Sequence, residues 1–472
     1  MSAAVPAAVA HRPSIAAADG DDSGPRRSLI LAGGGMRVAW QAGVLRALHD
    51  HGLRFAHGDG TSGGIMNLAM LLSGVTPEDM CRRWQSLPVA DFVSFLPWRD
   101  YVRSPHLPAL GSPDGVAQRV FPHLGIDLSR IHGARGMAGT FNVCDYTRKV
   151  NLSLPHTDVD RDLLVAGVSL PIFMPPLRRD GTIYMDSVWI RDANPMEGVR
   201  RGADELWVVW CIGNIAEYHD GMFNQYVHMI EIAAAGRLNE DLQALAAVNT
   251  QRAAAGRTPI RLHVVTPRYA LPLDPVYYSG GITGEELVAM GYRDAAAYLD
   301  GMSPEGVAPA PEVTRMEVQP PGRRVIEEMV VEQGRLRLVV EVNAPGHGSI
   351  PAGRICGSVS LTDLGDGVPL RGGTLSVVDG GSLHYAAALR AGGEDWTIEV
   401  LRPVRTAADG TRMTLRRGHD TGGEVVATSA VSEASHTVDA VLRTLGLADP
   451  HPVGDRLRDV LDRLRALVGR KP

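Results

Sequence analysis

Several things are scarce or absent in this 472-residue chain. It has four cysteines, Cys81, Cys144, Cys211 and Cys356, far apart and without C-x-x-C spacing. That pattern speaks against a disulfide framework or a zinc site and reads as free thiols in a reducing compartment. No apolar run reaches the roughly 18 residues that a spanning helix needs, so any membrane contact is expected to be peripheral. The formal net charge is −6, which leaves no global basic field to draw nucleic acid. There is no P-loop Gly-Lys-Ser/Thr. Residues 1–25, rich in Ala, Pro, Asp and Ser, lack a basic stretch leading into an apolar core; no signal peptide is expected, and they read as a disordered tail. What is present is 44% hydrophobic and 21% charged, an ordinary globular balance with material for two or three domains.

One stretch organises the rest. Ser28-Leu29-Ile30-Leu31-Ala32 is an apolar run of strand length that ends in Gly33-Gly34-Gly35. A helix is expected next, with Val38, Gln41, Ala42, Leu45 and Leu48 at helical spacing. Leu53-Arg54-Phe55-Ala56-His57 is a second strand candidate. It feeds Gly60-Thr61-Ser62-Gly63-Gly64, a G-x-S-x-G turn before the apolar helix that starts at Ile65. A serine at such a turn is held in a strained conformation that small neighbours permit, with its hydroxyl presented at the end of the sheet. The helix that follows aims free N–H groups and a positive dipole end at the reacting atoms. Ser62 reads as a nucleophile and Gly33, Gly34 and Gly35 as oxyanion-hole donors.

The run G-G-G-M-R-V-A-W-Q-A-G-V-L followed by G-T-S-G-G resembles the patatin-like phospholipases, serine acyl hydrolases that use a Ser–Asp dyad. The family's third motif, Asp-Gly-Gly or Asp-Gly-Ala followed by Asn-x-Pro or a relative, has a counterpart in Asp186-Ser187-Val188-Trp189 and Asp192-Ala193-Asn194-Pro195. Residues 166–176 also look like the family, and the resemblance covers roughly residues 27–302. It implies that Asp186 is the base, that the fold is a three-layer α/β/α domain with a mostly parallel sheet, and that no metal or organic cofactor is needed. It also implies a lipid or other acyl ester as substrate, with Arg37 and Gly63 beside it. The family often carries Arg or Lys at Arg37, consistent with steering a lipid phosphate; a structural arginine is the other reading. Val38 and Ser187 depart from the family, which usually has Gly at both positions.

Along the chain, Thr76-Pro77-Glu78-Asp79 reads as a helix start. Residues 91–98 read either as a contact for an acyl chain or lipid surface, or as a plug in the core. Asp192 reads as a turn residue, and Trp40 and Trp189 as core. Strands alternating with helices up to about residue 299 argue for a layered α/β domain. Residues 304–321 read as a proline-rich linker. Period-two runs then begin at Gly334, Gly357, Thr374, Ser382, Trp396 and Arg412, separated by glycine turns. They indicate a smaller antiparallel domain, a sandwich or a barrel, which faintly resembles β modules of bacterial enzymes. A closing amphipathic helix is expected over residues 453–468. The expected division is tail 1–26, acyl hydrolase domain 27–303, linker 304–321, β domain 322–430 and helical segment 431–472, in a cytoplasmic protein that meets membranes peripherally.

Three rivals stand beside the hydrolase. A Ser–Asp–His triad is permitted by chain order, with His219, His228 and His263 after Asp186. Gly58-Asp59-Gly60-Thr61-Ser62-Gly63 satisfies G-x-G-x-x-G, but no acidic residue ends the next strand as a dinucleotide site wants. A catalytically weak scaffold, whose β domain binds a partner or ligand, is the third.

Overall fold

The computed structural model describes residues 15, 24–92, 94–101, 107–318, 322–343, 353–378, 382–403 and 410–436. The chain divides into two compact units, residues 1–319 and 320–472. The expected helix over residues 453–468, and all of the expected tail but Ile15 and residues 24–26, lie outside the described residues.

The first unit is built on a mixed eight-stranded sheet: β1 (Arg27–Leu31), β2 (His57–Thr61), β3 (Ala138–Asp145), β4 (Val150–Pro155), β5 (Leu177–Arg179), β6 (Thr182–Asp186), β7 (Glu205–Val209) and β8 (Arg261–Val265). β3, β2, β1, β7 and β8 run parallel in that order. β4 and β6 pair antiparallel with β3, and β5 with β6. One detail of register positions the site. Asn142 faces Thr61 on one edge of β3 and Ser153 on the other, while Cys144 faces Met185 and Asn151. Because β4 takes the second edge throughout, β2 and β6 share the first edge in tandem. Their carboxyl ends meet, with Thr61 opposite Asn142 and Asp186 opposite Val143.

The helices that bear on the site are α1 (Val38–Asp50), α2 (Gly63–Leu72), α3 (Pro77–Ser86), α4 (Met222–Ala254), α5 (Asp274–Tyr278) and α6 (Gly284–Gly301), with other short helices between them. α3 starts as its sequence requires: the Thr76 hydroxyl accepts from the Asp79 N–H at 3.2 Å and Pro77 takes the first position. On one face of the sheet Ile30, Val208 and Val264 pack with Ala234, Leu238 and Leu242 of α4 in one cluster. Elsewhere α1 and α6 cross in backbone contact. A Cβ on Gly43 would lie 2.0 Å from the Val288 carbonyl, and one on Gly291 would lie 1.9 Å from the Trp40 carbonyl. Among the described residues no helix is long and apolar enough to cross a membrane. Residues 304–318 pack on this unit: Met316 is buried in the α4 cluster, and its N–H donates to the Asn214 carbonyl at 2.9 Å.

The second expected strand is displaced. Residues 53–56 approach the sheet, but the strand is His57–Thr61, H-G-D-G-T, every residue buried. The glycines there are the result of close packing. A Cβ on Gly58 would meet Leu68 Cδ1 at 2.5 Å, and one on Gly60 would meet the Gly64 carbonyl at 2.9 Å, so α2 could not lie on a bulkier strand. The first two glycines of the apparent dinucleotide motif are therefore strand residues.

The second unit is a closed antiparallel barrel. Its strands are β9 (Gly322–Val331), β10 (Gly334–Asn343), β11 (Gly353–Leu361), β12 (Gly365–Val378), β13 (Ser382–Ala391), β14 (Glu394–Arg402), β15 (Arg412–Arg417) and β16 (Glu424–Ala434). Each pairs with the next, and β16 pairs with β9. β9 and β16, where charged or small polar residues interrupt the apolar rhythm, are absent from the period-two runs. Eight strands leave an interior just wide enough for side chains. It is filled by Leu336, Leu338, Ile355, Leu375, Tyr385, Ile398 and their neighbours, and the void among them is only about 10 Å³.

Gly291→Ala is expected to destabilise the first unit by about 1–3 kcal/mol, because backbone must move to admit the methyl. Gly236→Ala, on α4 with nothing within 4 Å of the new Cβ, is expected to stabilise by roughly 0.5–1 kcal/mol. Urea unfolding of the two variants checks both signs.

Candidate active site

Ser62 follows β2 directly and has φ 50° and ψ −130°, the only non-glycine residue of the G-x-S-x-G turn with positive φ. It is 4% exposed, and its carbonyl accepts from the Ile65 N–H to open α2. Asp186 ends β6 and is fully buried. Its Oδ1 accepts the Val188 N–H at 2.9 Å. Its Oδ2 makes no hydrogen bond of good geometry, yet the Ser62 hydroxyl is near enough to favour the ionised form. Burial outweighs that help and the Val188 bond, and pushes the carboxyl up to about 7.

The glycine loop follows β1, the strand beside β2. The Gly33 N–H donates to Asp192 Oδ2 at 3.0 Å, and the Gly33 carbonyl accepts from the Cys211 thiol at 3.1 Å. Gly34 and Gly35 have φ 151° and 58°, and the Gly34 carbonyl accepts Arg37 Nε at 3.0 Å. The Met36 N–H donates to Asp274 Oδ1 at 3.0 Å. Among the described residues nothing accepts from the N–H groups of Gly34 and Gly35. Of the three glycines, then, Gly33 has its donor engaged and the other two have theirs open.

Ser62, Gly63, Gly34, Gly35 and Arg37 all line one cavity of about 230 Å³. Its walls are apolar, from residues such as Met66, Leu170, Phe173, Ile212 and Tyr226. Arg37 is 8% exposed, and its Nη1 has no hydrogen-bond partner among the described residues. Asp274 lies beside it in the same wall; burial raises its carboxyl above the usual range, while Arg37 and the Met36 N–H pull the other way. Phe92 lines the cavity, whereas Phe95 and Trp98 stand 75% and 78% exposed, so residues 91–98 supply both a wall and an apolar surface.

The two departures from the family fall in different places. Val38 fills the space in which a Cβ on Gly63 would sit, 2.6 Å from its Cγ1. The Ser187 hydroxyl turns away from Asp186 and donates to Asn151 Oδ1 at 2.5 Å. It joins a polar network that sequence reasoning missed. Asn142 donates to Asp59 Oδ1 at 2.6 Å, and its own Oδ1 accepts from Asn151 at 2.8 Å and Asn194 at 3.0 Å. The available signal was an Asn and an Asp inside otherwise apolar or glycine-rich strand sequence.

The histidines of the triad reading are engaged elsewhere. His263 stacks on Trp207 at 4.2 Å, His228 pairs with Glu231 at 3.0 Å, and the His219 N–H donates to His228. None lines the cavity. Among the described residues no group of three or more His, Cys, Asp or Glu could hold a metal ion.

Comparison with known proteins agrees with this geometry in one respect and is thin in the others. A family model described as patatin-like phospholipase matches residues 29–200. No curated protein matches. Among solved structures, VipD from Legionella pneumophila is similar with a TM-score of 0.34 and 12% identity, over 58% of this chain and 67% of that one. The type III effector protein ExoU is similar with a TM-score of 0.21 and 12% identity, over 58% of this chain and 53% of the effector, about half its length. The glycine loop, the serine turn and Asp186 all fall inside the family match, and residues 29–200 of this chain are a domain of the patatin-like phospholipase family, a family of lipid hydrolases.

Proposed function

We propose that the chain is a serine acyl hydrolase that cleaves lipid carboxylic esters through a Ser62–Asp186 dyad. The reading rests above all on one observation: β2 and β6 end head to head on one edge of β3, so that a strained serine in the wall of an apolar cavity lies beside a fully buried carboxyl.

The ester's acyl chain lies along the apolar wall, where each buried methylene contributes about 0.8 kcal/mol. Ser62 Oγ attacks the carbonyl carbon and its proton passes to Asp186 Oδ2, the oxygen with no other partner. The Val188 N–H holds Oδ1 and so fixes the carboxyl's orientation. The carbonyl oxygen becomes an anion between the N–H groups of Gly34 and Gly35, helped by the positive end of α2. Collapse returns the proton to the leaving alcohol. Water then attacks the acyl-enzyme, with Asp186 again as base. Arg37 holds an anionic headgroup at the polar end of the cavity, beside Gly63. Phe95 and Trp98 meet the lipid aggregate from which the substrate comes, in a cytoplasmic protein that touches membranes only peripherally.

A fluorophosphonate probe is expected to add once to wild type and not to Ser62→Ala, read by intact mass. A folded wild type that takes no adduct would return weight to the scaffold reading. Turnover of a soluble ester is expected to rise with pH to a plateau above about 7, because only the ionised Asp186 accepts the proton.

Stability has the opposite dependence. The folded value of Asp186 lies above the ordinary 3.8 of an aspartate, so the folded state binds this proton more tightly than the unfolded one. The stability gained is complete below about pH 4 and is lost as pH rises through about 7. Asp186→Asn stays neutral. It is expected to match wild type near pH 4 and to exceed it at pH 8 by up to about 4 kcal/mol, while losing activity at both. Denaturant midpoints at the two pH values decide this.

A further inference from the structure

Asp192 has no part in the steps above and does not line the cavity, yet it is completely buried beside the reacting groups. Its Oδ2 accepts the Gly33 N–H at 3.0 Å, and its Oδ1 has no hydrogen-bond partner among the described residues. A Cβ on Gly33 would lie 2.3 Å from Asp192 Oδ1 and 2.8 Å from Ser62 Cβ. The carboxyl and the nucleophile's own Cβ thus press on the same α-carbon, and the carboxyl fills the space between the glycine loop and the serine turn. At its other polar group, Gly33 is held by the Cys211 thiol. The two bonds hold the two peptide units that flank the Gly33 α-carbon, one through its N–H and the other through its carbonyl, and the Gly34 N–H shares the plane of that carbonyl, so its direction is set by them.

We propose that Asp192 is a positioning residue for the oxyanion loop: by holding the Gly33 N–H and wedging against Gly33, it aims the open N–H groups of Gly34 and Gly35 at the oxygen of the carbonyl that Ser62 attacks. The consequence for turnover rests on the dyad reading above; the tie itself does not. Burial, and next the charge of Asp186, push the Asp192 carboxyl well above its ordinary value, against the pull of the Gly33 N–H and Arg37. That direction favours the neutral form, which ties the loop without a second negative charge beside the base or the developing oxyanion.

The test compares Asp192→Ala and Asp192→Asn with wild type and Ser62→Ala. The readouts are exchange of the Gly33 amide, kcat and KM on a soluble short-chain ester, and inhibition by a trifluoromethyl ketone, which binds serine hydrolases as an oxyanion adduct. In Asp192→Ala, Gly33 is expected to exchange faster and kcat to fall roughly tenfold to a hundredfold with KM within about twofold. Affinity for the ketone falls by the same factor as kcat. Asp192→Asn restores most of each loss, because its amide oxygen accepts the same N–H; it also carries the test if the alanine variant does not fold. Wild-type kcat and Gly33 protection in Asp192→Ala overturn the proposal. So does a loss confined to KM or to the melting temperature, and so does an asparagine variant as impaired as the alanine one. If wild type shows no turnover that depends on Ser62, the dyad reading fails, and Gly33 exchange still decides whether Asp192 holds the loop.

Discussion

The backbone of Ser62 lies outside the regions that residues with side chains prefer, at a cost of roughly 1–3 kcal/mol. Packing around it supplies the restraint. α2 starts directly on the end of β1: a Cβ on Gly64 would lie 2.2 Å from the Leu31 carbonyl. That contact leaves the turn no room to relax outward, and the glycines of β2 leave α2 free to settle against the strand. Much of the local sequence follows from this one approach. Gly58 and Gly60 sit in a strand where glycine is normally a weakness, Gly63 gives way to Val38, and the glycine loop after β1 is pressed against the serine it serves.

Beside this turn the chain buries two carboxyl groups, six residues apart, in different circumstances. Asp186 keeps one oxygen on a backbone N–H and leaves the other toward a hydroxyl, so its proton is held loosely enough to be exchanged near neutral pH. Asp192 accepts a backbone N–H with one oxygen, while the other has no hydrogen-bond partner among the described residues, and burial disfavours its ionisation too. On the proposed reading, the same side chain is a proton acceptor in one position and a clamp in the next turn. Burial is unfavourable for both when ionised, and a folded structure tolerates that at a working site more readily than elsewhere.

Much of this was legible in the chain itself. The β1 run, the glycine triplet and the serine turn are local features, and each carries its own backbone requirement. The layered α/β class and the antiparallel second unit follow from periodicity. Legibility failed where a residue's role is set across the sheet. Residues 57–61 look like a loop, because glycine and aspartate are poor strand formers; only the close approach of α2 makes them a strand. Asp192 reads as a turn residue, since nothing local says that Gly33, 159 positions away, donates to it. Asn142 gathers Asp59, Asn151 and Asn194 from three different strands and turns. β9 and β16 were missed because their apolar rhythm is interrupted, and their place is fixed by pairing with β10 and β15 as well as with each other.

That last pairing gives the barrel an uneven history of assembly. Seven of its eight strand pairs join neighbours in sequence, two to nine residues apart, and close at little entropic cost. The eighth, β9 with β16, joins the first and last strands of the barrel and closes by far the longest loop, so its entropic cost is the largest. Until it does, the half-built sheet has two free edges offering unpaired backbone groups to any passing strand. The seam is also the sparsest ladder in the barrel, with three paired positions and a shift in register among them. A barrel of this kind is most vulnerable to self-association at one place and one stage: along β9 and β16, before the ring shuts.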